Sequence, residues 1–231
     1  MARTFGEAGE EGLVRVGIGP VALEGNLIIP EGARGVVLFA HGSGSSRHSP
    51  RNRFVAQVLR EAGLATLLLD LLTANEEAVD LHTGHLRFDI GLLAERLVGA
   101  AEWLTREEET ADLAVGCFGA STGAAAALVA AAQRPDRAGA VVSRGGRPDL
   151  AGPMLFHVRA PTLLIVGGED ESVIALNELA LERLGARVKR LVIVPWASHL
   201  FQEPGALEEV ARLAADWFTR YLGPPAEAAA D

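Results

Sequence analysis

The chain has 231 residues, 49% hydrophobic and 22% charged, with a net charge of −9. That is enough to bury one α/β core rather than two, and the acidic balance excludes the basic face of a nucleic-acid binder. The longest apolar tract, LATLLLDLL, is too short to cross a bilayer and contains Asp70.

One cysteine, Cys117, forms no internal disulfide and reads as a buried core residue inside an apolar stretch. The N-terminus reads as lacking a secretory leader, so a cytoplasmic protein is expected. A single domain over residues 1–231 is expected, its core at about 13–222, with disorder at the ends MARTFGEAGEEG and GPPAEAAAD.

In chain order, β-branched apolar runs predict strands over 13–17, 22–29, 35–40, 65–69, 113–118, 138–143, 162–166 and 191–194. Helical period predicts helices over 51–61, 86–105, 122–133, 173–184 and 206–222. Within 86–105, Ile90, Leu93, Leu97 and Ala101 share one face as a core stripe. The first two strands follow one another directly and predict an antiparallel hairpin. From Gly35 onward strand and helix alternate, which predicts a mainly parallel eight-stranded sheet with helices on both faces. Ligands collect beyond the carboxyl ends of such strands, so the loops that follow strands are where chemistry is sought.

Four of these loops carry chemistry-bearing residues. HGSGSSRHSPRNR after Ala40 is a glycine-serine turn able to leave backbone N–H groups unpaired, and such donors suit an oxygen that gains negative charge. After Phe118, Gly119-Ala120-Ser121-Thr122-Gly123 fits G-x-S-x-G between a strand and a helix, a turn that lifts a serine hydroxyl as nucleophile. The plain alternative is a serine that caps the helix. After Val166, GGEDESV offers Asp170, with Glu169 and Glu171 as lesser choices, to orient a histidine; the plain alternative is a solvated, helix-capping turn. After Pro195, WASHLF places His199 where a base for Ser121 would stand. The order Ser121, Asp170, His199 is the Ser…Asp…His order of α/β-hydrolases.

On HGSGSS, GASTG, GGEDESV and SHLF, the sequence resembles an α/β-hydrolase of the dienelactone hydrolase-related group over roughly residues 13–222. The resemblance implies a triad of Ser121, Asp170 and His199, and an oxyanion hole made by the backbone N–H groups of Ser43 and Thr122. Dienelactone hydrolases proper carry cysteine where Ser121 stands, which favours a serine esterase. Relatives with HGSGSSRHSPRNR and SRGGRPDL segments are sometimes predicted as a hydrolase fused to a phosphoribosyltransferase-like domain, for which 231 residues are too few.

The expected reaction is cleavage of short-chain carboxylic esters through an acyl-enzyme, without cofactor or metal. A lactonase, thioesterase or small-peptide hydrolase is the alternative, and a non-catalytic binding domain a further one. Only about twenty residues separate the sixth and seventh strands, so no large cap is expected over the site. Leu71, Leu72, Leu200 and Phe201 are candidate wall residues, and Gly42 and Leu200 are candidate substrate-binding residues. Arg47, Arg51, Arg144 and Arg147 are either solvated surface groups or receptors for a substrate carboxylate or phosphate. His82 and His85 have ligand spacing, but no set of further ligands completes a metal site. A small-molecule ester, rather than nucleic acid or membrane, is the expected partner.

Overall fold

The computed structural model describes residues 11–223. The ends expected to be disordered lie outside the described residues, except Glu11, Gly12 and Gly223. Gly12 already belongs to a strand.

The strands are β1 (Gly12–Ile18), β2 (Val21–Ile28), β3 (Val36–Ala40), β4 (Ala65–Leu69), β5 (Val115–Ala120), β6 (Ala138–Arg144), β7 (Thr162–Gly167) and β8 (Lys189–Val194). They form one eight-stranded sheet in the order β1-β2-β4-β3-β5-β6-β7-β8. β1 and β2 make the expected antiparallel hairpin and β2 lies antiparallel to β4, while all later neighbours are parallel. Every residue of β3, β4, β5 and β7 is buried, as strands covered on both faces must be. β1 and β2 instead alternate between buried and more accessible residues.

The helices are α1 (Pro50–Glu61), α2 (Ala74–Thr83), α3 (Ile90–Leu104), α4 (Thr122–Gln133), α5 (Glu171–Arg183) and α6 (Ala206–Leu222). Val55 and Leu59 of α1 and Val210, Ala214 and Phe218 of α6 pack with Phe39 and Phe118 on one face of the sheet. Leu93 and Leu97 of α3, Ala126, Ala127 and Ala130 of α4 and Ala180 of α5 pack on the other.

The helix expected over 86–105 is two elements. A 3-10 turn at Leu86–Phe88 precedes α3, because the Asp89 carboxylate accepts the Leu92 N–H at 3.0 Å and starts the helix afresh. α2 was not expected. It buries only Asp80 and so has no apolar stripe, but Thr73 and Glu76 form a reciprocal capping box and Gly84 closes it in the left-handed conformation. A 3-10 segment at Pro148–His157 links β6 to β7, and no cap domain stands over the sheet among the described residues.

α4 matters most for the site. All of its residues from Thr122 to Ala132 are buried, and only alanine-sized side chains let a helix lie that close to the sheet beneath it. Ala126 is fully enclosed. Ala126→Leu is therefore expected to lower stability by about 1–3 kcal/mol through overpacking, measured as a fall in the urea midpoint with an unchanged slope.

Candidate active site

Between β5 and α4 the chain turns so sharply that Ser121 takes φ 51° and ψ −120°, a region that side-chain-bearing residues rarely enter and that costs about 1–3 kcal/mol. Its flanking glycines are fixed by space. A Cβ at Gly119 would lie 2.4 Å from the Ala124 Cα, and one at Gly123 would lie 2.4 Å from the Ala40 carbonyl oxygen. The backbone is held on both sides, since the Ser121 N–H donates to the Arg144 carbonyl at 3.2 Å while the Ser121 carbonyl accepts from Ala124 and Arg147 at 3.1 Å each. The serine hydroxyl does not cap α4. The capping reading of this serine therefore fails, and its hydroxyl stays available for chemistry.

The loop after β3 presses on this turn. A Cβ at Gly42 would come within 3.1 Å of the Ser121 Cβ, so Gly42 acts through close approach. Ser43 and Thr122 are brought together, but by a bond between them: the Ser43 N–H donates to the Thr122 hydroxyl at 2.9 Å. The Thr122 N–H is the first of α4 and has no acceptor within the helix. His41 was not singled out in the sequence, yet it fastens this loop. Its Nε2 accepts the Leu71 N–H at 3.2 Å, which places the proton on Nδ1, 2.9 Å from the Gly42 carbonyl. Burial lowers its pKa and keeps the ring neutral. A cavity of about 110 Å³ opens beside the loop, lined by His41, Ser43, Leu71, Leu72, Leu81 and Thr122 among others.

Asp170 and His199 meet across the ends of β7 and β8. The imidazole Nδ1 lies 2.6 Å from the Asp170 carboxylate, so Nδ1–H donates and Nε2 keeps its lone pair. Asp170 precedes α5 without capping it through its side chain. Glu169 and Glu171 are exposed and do not take its place. The glycine pair before Asp170 makes room for the histidine loop, because a Cβ at Gly167 would lie 2.3 Å from the Ala197 carbonyl oxygen. Trp196 and Phe201 bracket His199 with φ of 61° and 54°. Phe201 is buried in the core and anchors the loop, which corrects its reading as a wall residue. Leu200 is partly exposed beside His199. Glu203, also not anticipated, accepts the Ser198 N–H at 2.9 Å.

Arg144 and Gly145 join the two halves of the site. The Arg144 carbonyl receives the Ser121 N–H, and a Cβ at Gly145 would stand 3.5 Å from the His199 Nδ1 and Cε1. Buried Asn177 steadies this corner by donating to the Gly146 carbonyl at 3.0 Å.

The four rim arginines divide. Arg47 is tied to Asp70 and, at 2.8 Å, to Glu24. Arg147 forms a two-pronged pair with Asp149 at 2.9 and 2.8 Å, so its guanidinium is already satisfied. Arg144 is buried rather than a surface group, and Arg51 is partly buried. No group of three or more His, Cys, Asp or Glu among the described residues is arranged to hold a metal. No described helix is long and apolar enough to cross a membrane.

A crystal structure of dienelactone hydrolase from Anabaena variabilis matches with 67% identity and a TM-score of 0.91, covering 94% of this chain and 100% of that one. This chain belongs to the dienelactone hydrolase-related α/β-hydrolases. A lidless serine hydrolase of Xanthomonas campestris shares the fold at 23% identity and a TM-score of 0.74, covering 97% of this chain and 99% of that one. Two Mycobacterium tuberculosis proteins with a provisional phosphoribosyl transferase name are 54% identical over 212 residues, which is 92% of this chain. The chain spans about half the length of these curated relatives, 47%. No family profile matches the chain.

Cys117 lies buried within β5, and burial pushes its thiol up to about 12. Almost no thiolate forms at pH 8, so iodoacetamide is expected to modify Cys117 only after denaturation, read by intact mass. For the histidine loop, Gly167→Ala forces the Ala197 carbonyl outward and is expected to break the His199–Asp170 bond. The readout is loss of the strongly deshielded Nδ1 proton resonance expected of the parent protein.

Proposed function

We propose that this chain is a serine hydrolase that cleaves short-chain carboxylic esters through an acyl-enzyme on Ser121. The observations that carry the reading are the Ser121 turn, a strained residue whose hydroxyl is released from capping, and a histidine paired with a carboxylate at 2.6 Å on a loop that reaches the Ser121 turn through Arg144 and Gly145. His199 removes the hydroxyl proton through Nε2 as Oγ attacks the ester carbonyl, then returns it to the departing alcohol. Water repeats the sequence and releases the acid. Asp170 fixes the tautomer of His199 and stabilises its charged form.

The N–H groups of Thr122 and Ser43 hold the oxyanion. In the resting arrangement the Ser43 N–H rests on the Thr122 hydroxyl, and the stronger charge-assisted acceptor draws it away as the tetrahedral intermediate forms. The cavity of about 110 Å³ beside Ser43 and Thr122 suits a short acyl group. The lactonase reading draws on the name of the Anabaena relative, and it uses the same residues. The transferase name of the Mycobacterium relatives belongs to proteins of which this chain spans 47%.

Ser121→Ala is expected to remove hydrolysis of p-nitrophenyl acetate and butyrate while leaving the circular dichroism spectrum unchanged. Asp170→Asn, which reverses the tautomer, is expected to lower kcat about 10⁴-fold. Wild-type turnover by Ser121→Ala would refute the assignment, and faster cleavage of long-chain than short-chain esters would refute the acyl preference.

A further inference from the structure

A second cavity, of about 470 Å³, lies away from Ser121 and shares no lining residue with the one beside Ser43 and Thr122. Its floor is Asn26 and Ile28 of β2 with Leu68 of β4, and Asn26 stands opposite Leu68 in the strand register. Leu68 packs with Val55 and Leu59, so the cavity is on the sheet face that α1 covers. Its wall is one side of α1, where Pro50, Arg53, Phe54 and Gln57 recur at helical spacing. Arg60, a turn further along, completes the wall. Apolar surface with a few convergent polar groups is the usual make-up of a small-ligand site.

The polar groups of this cavity are incompletely matched. Burial lowers the Arg60 pKa, and the Arg53 charge acts in the same direction, against the opposing pull of Glu11. Arg60 donates to a neutral partner, the Thr66 hydroxyl, at 3.3 Å. Glu11 supplies a carboxylate: it accepts from the Asn26 amide at 2.7 Å and from the Arg53 guanidinium at 3.3 Å. The Arg53 and Glu11 side chains are 51% and 42% exposed. An ion pair so exposed is worth little, and another carboxylate can take the place of Glu11 at small cost. The Asn26 amide is only half used. Its Nδ2 serves Glu11, while its Oδ1 is enclosed without any donor, and such an orphaned acceptor is costly. A carboxylate alone cannot relieve it, because the ionised group only accepts.

We propose that this cavity is a second, non-catalytic site that binds a small 2-hydroxy carboxylate with an apolar side chain. The ligand carboxylate replaces that of Glu11 on the Asn26 Nδ2 and on Arg53, whose planar fork suits it, and Arg60 is the second cation of the cavity. A hydroxyl on the adjacent carbon donates to the Asn26 Oδ1, so that one ligand serves both ends of the amide. A 2-ammonium group would also donate, but the two guanidiniums repel it. The apolar part lies against Ile28, Phe54 and Leu68. Nothing in the assignment depends on the chemistry at Ser121.

Calorimetric titration of mandelate and phenylacetate, which differ by the one hydroxyl, tests the site at fixed ionic strength. The wild type is expected to bind mandelate about 2- to 10-fold more tightly than phenylacetate. Arg53→Gln and Arg60→Gln are each expected to weaken mandelate binding about tenfold, whereas Arg106→Gln, an exposed arginine in the turn after α3, binds as the wild type does. Glu11→Gln removes the competing carboxylate and is expected to tighten mandelate binding about 2- to 5-fold. Asn26→Leu is expected to erase the preference for mandelate over phenylacetate. The variants at exposed Arg53 and Glu11 keep the proposal open to test even if Arg60→Gln or Asn26→Leu fails to fold. No mandelate binding by wild type and Glu11→Gln alike overturns the proposal. So does equal affinity of wild type and Arg53→Gln for mandelate, or a wild type that binds the two acids equally.

Discussion

The site depends on one backbone constraint, the left-handed turn at Ser121 clamped between two glycines that have no room for a Cβ. Gly119 touches α4 behind the turn, and Gly123 touches the end of β3. Strain of about 1–3 kcal/mol persists only where the surroundings over-determine it. Here the surroundings are β5 at the centre of the sheet and α4, in which seven of twelve residues are alanine and every residue from Thr122 to Ala132 is buried. Core packing and site geometry are thus one problem: the small residues that let α4 settle onto the sheet also set the height and direction of the serine.

The other loops are positioned by the same device. Gly42 brings the β3 loop to Ser121, Gly167 lets the histidine loop cross the end of β7, and Gly145 backs the His199 ring. Each is a place where one backbone passes so close to another group that a side chain would displace it. Polar anchors then fix the loops: His41 bridges Leu71 and Gly42, Glu203 holds Ser198, and Asn177 holds Gly146. None of these three is a reacting group in the proposed chemistry. They limit the freedom of those that are.

Much of this was legible in the sequence because tight turns leave compositional marks. Glycine and serine gathered where apolar runs stopped, and the strand–helix alternation placed those turns on one edge of the sheet. What was not legible has specific causes. α2 has no apolar stripe, so only its Thr73–Glu76 box and Gly84 signalled it. The start of α3 was masked by Leu86, which extends the apolar pattern past the Asp89 cap. Phe201 read as a wall residue because apolarity does not reveal a backbone φ of 54°, which goes with a side chain buried in the core. Arg144 read as a loop residue like Arg147 because β6 runs one residue further than its β-branched pattern indicates. That single residue turns an apparent surface arginine into a buried one.

The most direct test is a crystal structure of the protein after reaction with a small fluorophosphonate, which mimics the tetrahedral intermediate. The account predicts phosphorus bonded to the Ser121 Oγ, the phosphonyl oxygen about 2.7–3.1 Å from the amide nitrogens of Thr122 and Ser43, and the Ser43 amide released from the Thr122 hydroxyl. Phosphorus on another residue, or a phosphonyl oxygen turned to solvent with the Ser43–Thr122 bond intact, would contradict it.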